Sequence, residues 1–328
     1  MFRFTFGRGD RSRGDDHRSP FNSPPPPRLD LAALKREEGE RLRALHDALA
    51  SGVLPPNVER RLRSQAGGEL PWTSDLSVNE WAALRPYRLR PLGQVVGSCF
   101  YHVGYVPNGY AGFYTQSHEM GAPTRALTEG RSLALARMEQ EARALGANAV
   151  VGVHLQRKRF VFENVVYEFA AYGTAVRVEG LPESREPLLC TVSGQDFARL
   201  LAAGALPVGL AMGASFYYLR TDWWDTRQQM SFYNQEMTHF QRGLSTARQL
   251  AGKKLRQDTH HLGAKGVVGT EVEFEVEKVS GGVTNDNEPI EDHLIIVFMM
   301  GTAVEYISDP PERGAYHPVL DMRDKVRR

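Results

Sequence analysis

Apolar residues follow two rhythms along this chain, and the same succession of rhythms occurs twice. Gly93–Gly104 (GQVVGSCFYHVG) and Gly209–Leu219 (GLAMGASFYYL) are short apolar runs with aromatic residues and read as strands. An irregular polar segment follows each, and then a helical period. In the first copy Leu135, Met138, Ala142 and Leu145 recur at spacings of three, four and three, which lines one helix face. Gly146 ends that helix and Gly263 ends its counterpart, as residues tolerant of positive φ should. The second helix is more basic (Lys253, Lys254, Arg256) and its apolar stripe is weaker. A β-branched AVVGV-type run then reads as a buried strand, and a last strand carries GTAV, over Val165–Val178 and His293–Tyr306. The order strand, second strand, helix, strand, strand predicts an α+β chain. Its two tandem domains are of ββαββ type, each a mostly antiparallel sheet packed by a helix, and an N-terminal helical segment precedes them.

The two copies are related residue by residue. LGANAVVGV at Leu145–Val153 returns as LGAKGVVGT at Leu262–Thr270. A shift of 116 carries Ser77, Pro91, Gly93, Gly97, Phe100 and Tyr101 onto Ser193, Pro207, Gly209, Gly213, Phe216 and Tyr217. A shift of 117 carries Glu119, Arg125, Arg131 and Gly152 onto Glu236, Arg242, Arg248 and Gly269, and a shift of 128 carries Gly173–Val176 onto Gly301–Val304. The larger change of shift falls at Gly281–Pro289, a turn-rich stretch that reads as a hairpin. Self-similarity of this kind outranks other signals of fold. The expected organisation is a disordered tail at 1–28, a helical extension at 29–72, repeats at 73–182 and 183–308, and a flexible tail at 309–328.

Outside the repeats, Leu29–Ser51 is a strongly amphipathic helix stopped by Gly52 and Pro55-Pro56, and a short helix is expected over Val58–Ser64. The pair would pack on the first repeat; a partner-binding helix is the alternative. Ser77–Leu84 and Ser193–Leu200 open the copies as helices with serine caps, a capping box with Glu80 in the first. Trp81 and Phe197, at the same place in each, read as core anchors. Glycines within strands (Gly152, Gly173, Gly269, Gly301) mark bulges or close backbone approach. Packing within a domain and contact between neighbouring domains both account for them.

LGANAVVGV followed by YGTAV, behind a helix of the ARMEQEARA type, resembles the YbjQ-like, UPF0145-type family, whose label is heavy-metal binding. The resemblance covers about Gly93–Val178 and, less closely, Gly209–Tyr306, where Lys265 and Gly266 replace Asn148 and Ala149. It implies an α+β domain that assembles into a ring, commonly of five.

Composition adds exclusions. Net charge is +1, which draws the chain toward neither nucleic acid nor anionic lipid. The longest apolar run, Leu294–Val304, falls well short of the ~20 residues of a membrane span. No signal-like opening is apparent, and two cysteines, Cys99 and Cys190, make no disulfide framework; a cytoplasmic setting is expected. The first 28 residues are too polar to fold. Their alternating Phe2, Phe4 and Phe6 offer a route to a protein partner by strand addition, beside the plainer reading of a solvated terminus.

The repeat also tests candidate chemistry, since an ancestral site should leave its residues in both copies. Cys99 aligns with Ser215, His102 with Tyr218, His118 with Gln235 and His154 with Glu271, so no thiol or imidazole survives duplication. Neither GxSxG nor a phosphate loop occurs; the glycines of Gly93-x-x-x-Gly97 and Gly209-x-x-x-Gly213 read as aids to close strand packing. No catalytic residue, metal ligand or cofactor is assigned. What both copies share are Tyr101/Tyr217, Glu119/Glu236, Arg125/Arg242 and Thr174/Thr302, candidates for ligand binding or subunit contact, and Arg131/Arg248. The expected function is a non-enzymatic homo-oligomeric assembly protein, a ring of five chains being the size the resemblance suggests. The alternative is a metal- or small-ligand-binding module with sites at domain interfaces.

Overall fold

A computed structural model describes residues 31–102, 116–161, 165–180, 186–222, 225, 227, 233–283 and 289–306. The expectations for the tail at 1–28, its Phe2, Phe4 and Phe6 included, and for the end beyond 308 lie outside the described residues. The chain divides into two units, Met1–Asp47 and Ala48–Arg328. The first is the body of helix α1 (Leu31–Ala50), on which Leu42 and Leu45 are exposed.

In the second unit α2 (Pro56–Ala66) starts on a proline, whose fixed φ suits a first helical turn. It packs on the first repeat as expected, burying Leu62 and pairing Arg61 Nη2 with Glu141 Oε1 at 2.8 Å. α3 (Val78–Leu84) has the expected capping box: Ser77 Oγ accepts from Glu80 N at 3.3 Å, and Glu80 Oε2 accepts from Ser77 N at 2.7 Å. The first repeat continues through β1 (Leu89–His102), β2 (His118–Glu119), α4 (Gly121–Ala144), β3 (Ala149–Val161) and β4 (Val165–Val178). The second runs β5 (Leu188–Leu189), α5 (Gly194–Ala202), β6 (Ala205–Leu219), α6 (Thr238–His261), β7 (Gly266–Val283) and β8 (Pro289–Tyr306).

The two sheets have orders β1-β4-β3-β5 and β2-β6-β8-β7. The long strands pair antiparallel, in matching registers. β1 breaks register against β4 between Pro91 and Gly93, and β6 against β8 between Pro207 and Gly209. β3 bulges between Val151 and His154, and β7 between Val268 and Glu271. The glycines inside those bulges, Gly152 and Gly269, have φ of +62° and +59°, left-handed values that a side chain disfavours. Residues inserted in the second repeat lengthen the β7–β8 hairpin, as the change of shift implies.

Gly97 and Gly213 serve the helices and not strand packing, a correction to the sequence reading. A Cβ on Gly97 would stand 2.0 Å from Ala134 O, and one on Gly213 would stand 2.1 Å from Ala251 O. In both repeats the helix backbone therefore rests directly on the sheet.

The ββαββ order carries a refinement: the short second strand does not complete its own sheet. β2, from the first repeat, pairs with β6 of the second, and β5, leading into the second repeat, pairs parallel with β3 of the first. One apolar cluster accordingly spans both repeats, with Val95, Leu127, Met138 and Phe169 beside Phe216, Tyr218, Ile296 and Phe298. Phe197 is fully buried in a second cluster with Val151 and Val176 of the first repeat. Trp81 is the other correction: it is 38% exposed, with the Arg85 guanidinium 4.7 Å from its ring, and is no core anchor. Its counterpart is buried by the neighbouring repeat, and nothing in the chain plays that part for Trp81 among the described residues.

Candidate functional site

The polar chemistry of this chain concentrates where its repeats meet. β2 enters the second sheet because its backbone finds an open edge on β6, and the start of α4 fixes it there. Met120 N donates to Phe216 O at 2.8 Å, and the Thr124 hydroxyl donates to Met120 O at 2.7 Å while accepting from Phe216 N at 3.1 Å. Glu119 then faces α6: Lys254 Nζ donates to Glu119 Oε1 at 2.6 Å and to Ala214 O at 2.9 Å. On the other side the 188–192 segment seats itself along β3. Leu188 N reaches Asn148 O, Cys190 N reaches Val150 O, and Gly152 N reaches Val192 O, each at 2.9 Å. The buried Thr302 hydroxyl accepts from Thr191 N at 2.9 Å and ties the same segment to its own sheet. Two ion pairs join the hairpins of the two repeats, Arg157 to Glu275, and Arg159 to Glu277 at 3.0 Å.

Arg131 lies at the centre, 1% exposed, its guanidinium carbon 3.1 Å from the ring centre of Phe298 and 5.7 Å from that of Phe169. Its Nε and Nη1 have no hydrogen-bond partner among the described residues. Burial, and then the nearby Arg157, push its pKa well below the usual arginine range, with Glu273 opposing them. A cation so placed is expensive unless something compensates it. Arg131 lines a cavity of about 320 Å³ whose wall also holds Thr128, Ser132, Lys254, Gln257, Asp258 and His261.

Of the candidates read from sequence, the inter-repeat contact gathers Glu119, Thr302 and Tyr217, the residue opposite Glu119 in the β2–β6 ladder. Thr174 is buried and accepts from Asp75 N at 3.2 Å, the same role toward the first repeat that Thr302 has toward Thr191 in the second. Tyr101 donates to Glu129 on its own repeat. Arg125, Glu236 and Arg242 are exposed and stand outside this contact. Phe298 and Thr191 were not singled out from sequence, and Lys254 was named only as one of the basic residues of its helix. Lys254 was findable, since a shift of 117 sets it on Arg137, which likewise donates to the carbonyl of Ser98.

The heavy-metal label of the resembled family can be set against the donors present. Asp222, Asp225 and His239 bring three ligand atoms within 4.8 Å of one another, a second-repeat cluster that the two-copy test could not reveal. Its carboxylates already accept backbone donors: Asp225 Oδ2 from Asp222 N at 3.0 Å, Asp222 Oδ1 from Asp225 N at 2.9 Å. His239 Nδ1 lies 2.5 Å from Asp225 Oδ2. These are oxygen and imidazole donors, whereas soft heavy metals select thiolates. The two cysteines are buried, and burial raises both thiol pKa values, that of Cys99 against the opposing effect of Arg137. Burial therefore works against the thiolate form that would bind such a metal. These donors do not fit a thiolate-type heavy-metal centre.

Comparison with known proteins matches the same two regions. A family model described as "Putative heavy-metal-binding" (YbjQ) matches residues 87–179 and 228–307. The chain is 33% identical over 261 residues to the encapsulin nanocompartment protein Rv1762c of Mycobacterium tuberculosis, covering 78% of this chain and 93% of that one. It is also similar to UPF0145 proteins of Clostridium perfringens, at 44% identity, and Halalkalibacterium halodurans, at 48%, each over 61 residues, or 19% of this chain and 56% of the relative.

Proposed function

This chain belongs to the YbjQ family, whose domain it contains in two copies, and we propose that it is a non-catalytic building block of a homo-oligomeric assembly. The observation that carries the proposal is a mismatch of burial between equivalent surfaces. Phe197 is fully buried where its counterpart Trp81 is 38% exposed, and Val151 is buried where Val268 is half-buried and the next strand positions are open. Surfaces that one repeat covers with its neighbour are thus presented bare by the other, and exposed apolar patches of this kind mark interaction sites. The relative named as an encapsulin nanocompartment protein supports assembly over catalysis as the theme. A closed ring, of five chains or another number, is the arrangement this reading favours. A cytoplasmic setting suits its two unpaired, buried thiols. The measurement is the solution mass of the full chain: an oligomer is expected at micromolar concentration, and a strict monomer across the micromolar range defeats the proposal.

The unsatisfied donors of Arg131 favour a second reading, a small anion held at the repeat interface by Arg131, Lys254 and His261. Inorganic phosphate and simple carboxylates would then raise the melting temperature, because a ligand binding only the folded state stabilises it. That rise should vanish in Arg131→Met. Absence of any shift up to millimolar anion removes this reading.

A further inference from the structure

The contact between the two repeats is a pattern that the chain can satisfy once more, with a second copy of itself. Each part of the internal contact has a counterpart elsewhere in the chain. In the internal contact, the first repeat offers the edge of β3 and receives the 188–192 segment and Phe197. In the second repeat the same edge belongs to β7, whose Gly266–Thr270 stretch has no strand but β8 beside it among the described residues and is touched at Gly269 O, which accepts from the Thr191 hydroxyl at 3.4 Å. The segment equivalent to 188–192 is 72–76, which is outside any strand, and its Trp72 is 47% exposed. Trp81, in the place of buried Phe197, is exposed beside it. The other half of the pattern is equally available. Lys254 receives Glu119, while the corresponding Arg137 already holds Ser98 O and the corresponding Glu236 is exposed.

Resting on the assembly reading above, the geometry points to a head-to-tail contact in which the second repeat of one chain docks the first repeat of the next. The 72–76 segment of the incoming chain adds as a parallel strand along β7, as 188–192 does along β3, and Trp72 and Trp81 cover that sheet. In return Glu236 of the first chain enters beside Tyr101 and His102 of the incoming chain and pairs with its Arg137. The internal contact differs in one respect that suits an assembly between chains. Where it has Arg157 and Arg159, paired with Glu275 and Glu277, the second repeat has Phe274 and Val276, 66% and 50% exposed. The second repeat's side of this hairpin is therefore more apolar than the first repeat's, in keeping with an association driven by removal of apolar surface from water. Because the contact joins unlike surfaces, it does not saturate with two copies. It propagates until it closes into a ring or continues as a filament.

The test uses the full chain and measures mass and dissociation by mass photometry or sedimentation. Trp72→Ala with Trp81→Ala removes two exposed aromatic side chains, so the chain should keep its circular dichroism spectrum, while its melting temperature falls only by the stabilisation that assembly supplied. Buried interface tryptophans rank among the residues whose truncation weakens binding most, by roughly thirtyfold or more each. The double variant should therefore shift to monomer at concentrations where the parent is assembled. Glu236→Arg alone should weaken assembly, and Glu236→Arg combined with Arg137→Glu should restore it by exchanging the charges across the same contact. Restoration supports the assignment. An oligomer that persists unchanged in both the tryptophan and the Glu236→Arg variants overturns this contact and leaves the assembly reading standing. A parent chain that is itself monomeric overturns the assembly reading, and the contact with it.

Discussion

The two repeats share backbone design and differ in what covers them. Their ladders break register at the same proline and glycine, their bulges carry the same left-handed glycine, and their helices lie on the same strand glycine. Yet Arg131 is buried and Arg248 exposed, Phe197 buried and Trp81 exposed, Val178 buried and Tyr306 exposed. Residue type alone does not account for these differences, because the two arginines are identical and tryptophan and tyrosine bury large apolar area when a partner surface is present. They follow from position along the chain: each buried member faces the other repeat, and each exposed member faces outward. The comparison separates two kinds of shared residue, those that make the repeat and those that join repeats.

The largest expected effect tests the joining residues. Phe197→Ala should cost about 3–5 kcal/mol in urea unfolding, the range for emptying a buried aromatic site. Trp81→Ala should fall within roughly 0.5 kcal/mol of the parent under conditions where the chain is monomeric, as surface changes do. Equal costs for the two would show that Trp81 is already packed within its own chain and would remove the asymmetry.

Residues that make the repeat should respond alike. Gly97→Ala and Gly213→Ala each push a methyl group into a helix backbone about 2 Å away. Each should cost about 1–3 kcal/mol in the same unfolding experiment, with little difference between them. A large cost at one and none at the other would mean that only one helix truly rests on its sheet.

Much of this architecture was legible because duplication writes each constraint twice. Gly152 and Gly269 could be read as bulges from a glycine recurring inside a β-branched run, and Ser77 with Glu80 as a cap from spacing alone. The strand exchange was not legible. β2 and β5 are two residues long, below any periodicity, and the sheet each joins is decided by tertiary contact. Trp81 was misread for a related reason: aromatic character predicts burial but does not say which surface provides it. Glu119 and Thr302 were found as shared residues, and their partners Lys254 and Thr191 were missed because a partner need not be identical in both copies. The donor cluster at Asp222, Asp225 and His239 escaped because it belongs to one copy only.

A finer comparison concerns the carboxylate each helix lends to its sheet. Glu141 on α4 accepts from Val96 N at 2.9 Å, and Asp258 on α6 accepts from Met212 N at 2.8 Å, the same device in both repeats. Only Glu141 is also reached by Arg61 from α2, among the described residues. Burial raises the Glu141 pKa above the ordinary 4.5, against the lowering effects of the Val96 N–H and Arg61. A carboxyl whose folded pKa is raised binds its proton more tightly in the folded state. Its contribution to stability is therefore fully present below its unfolded pKa and is lost as pH rises through the folded value. The parent chain should carry a component of stability that declines from about pH 4.5 upward, and Glu141→Gln, which keeps an acceptor for Val96 N–H, should remove that component. Urea midpoints measured in steps from pH 4 to pH 7 decide it. If the difference between parent and variant instead grows in favour of the parent as pH rises, the pairing with Arg61 outweighs burial, and the link between α2 and the first repeat is an electrostatic one.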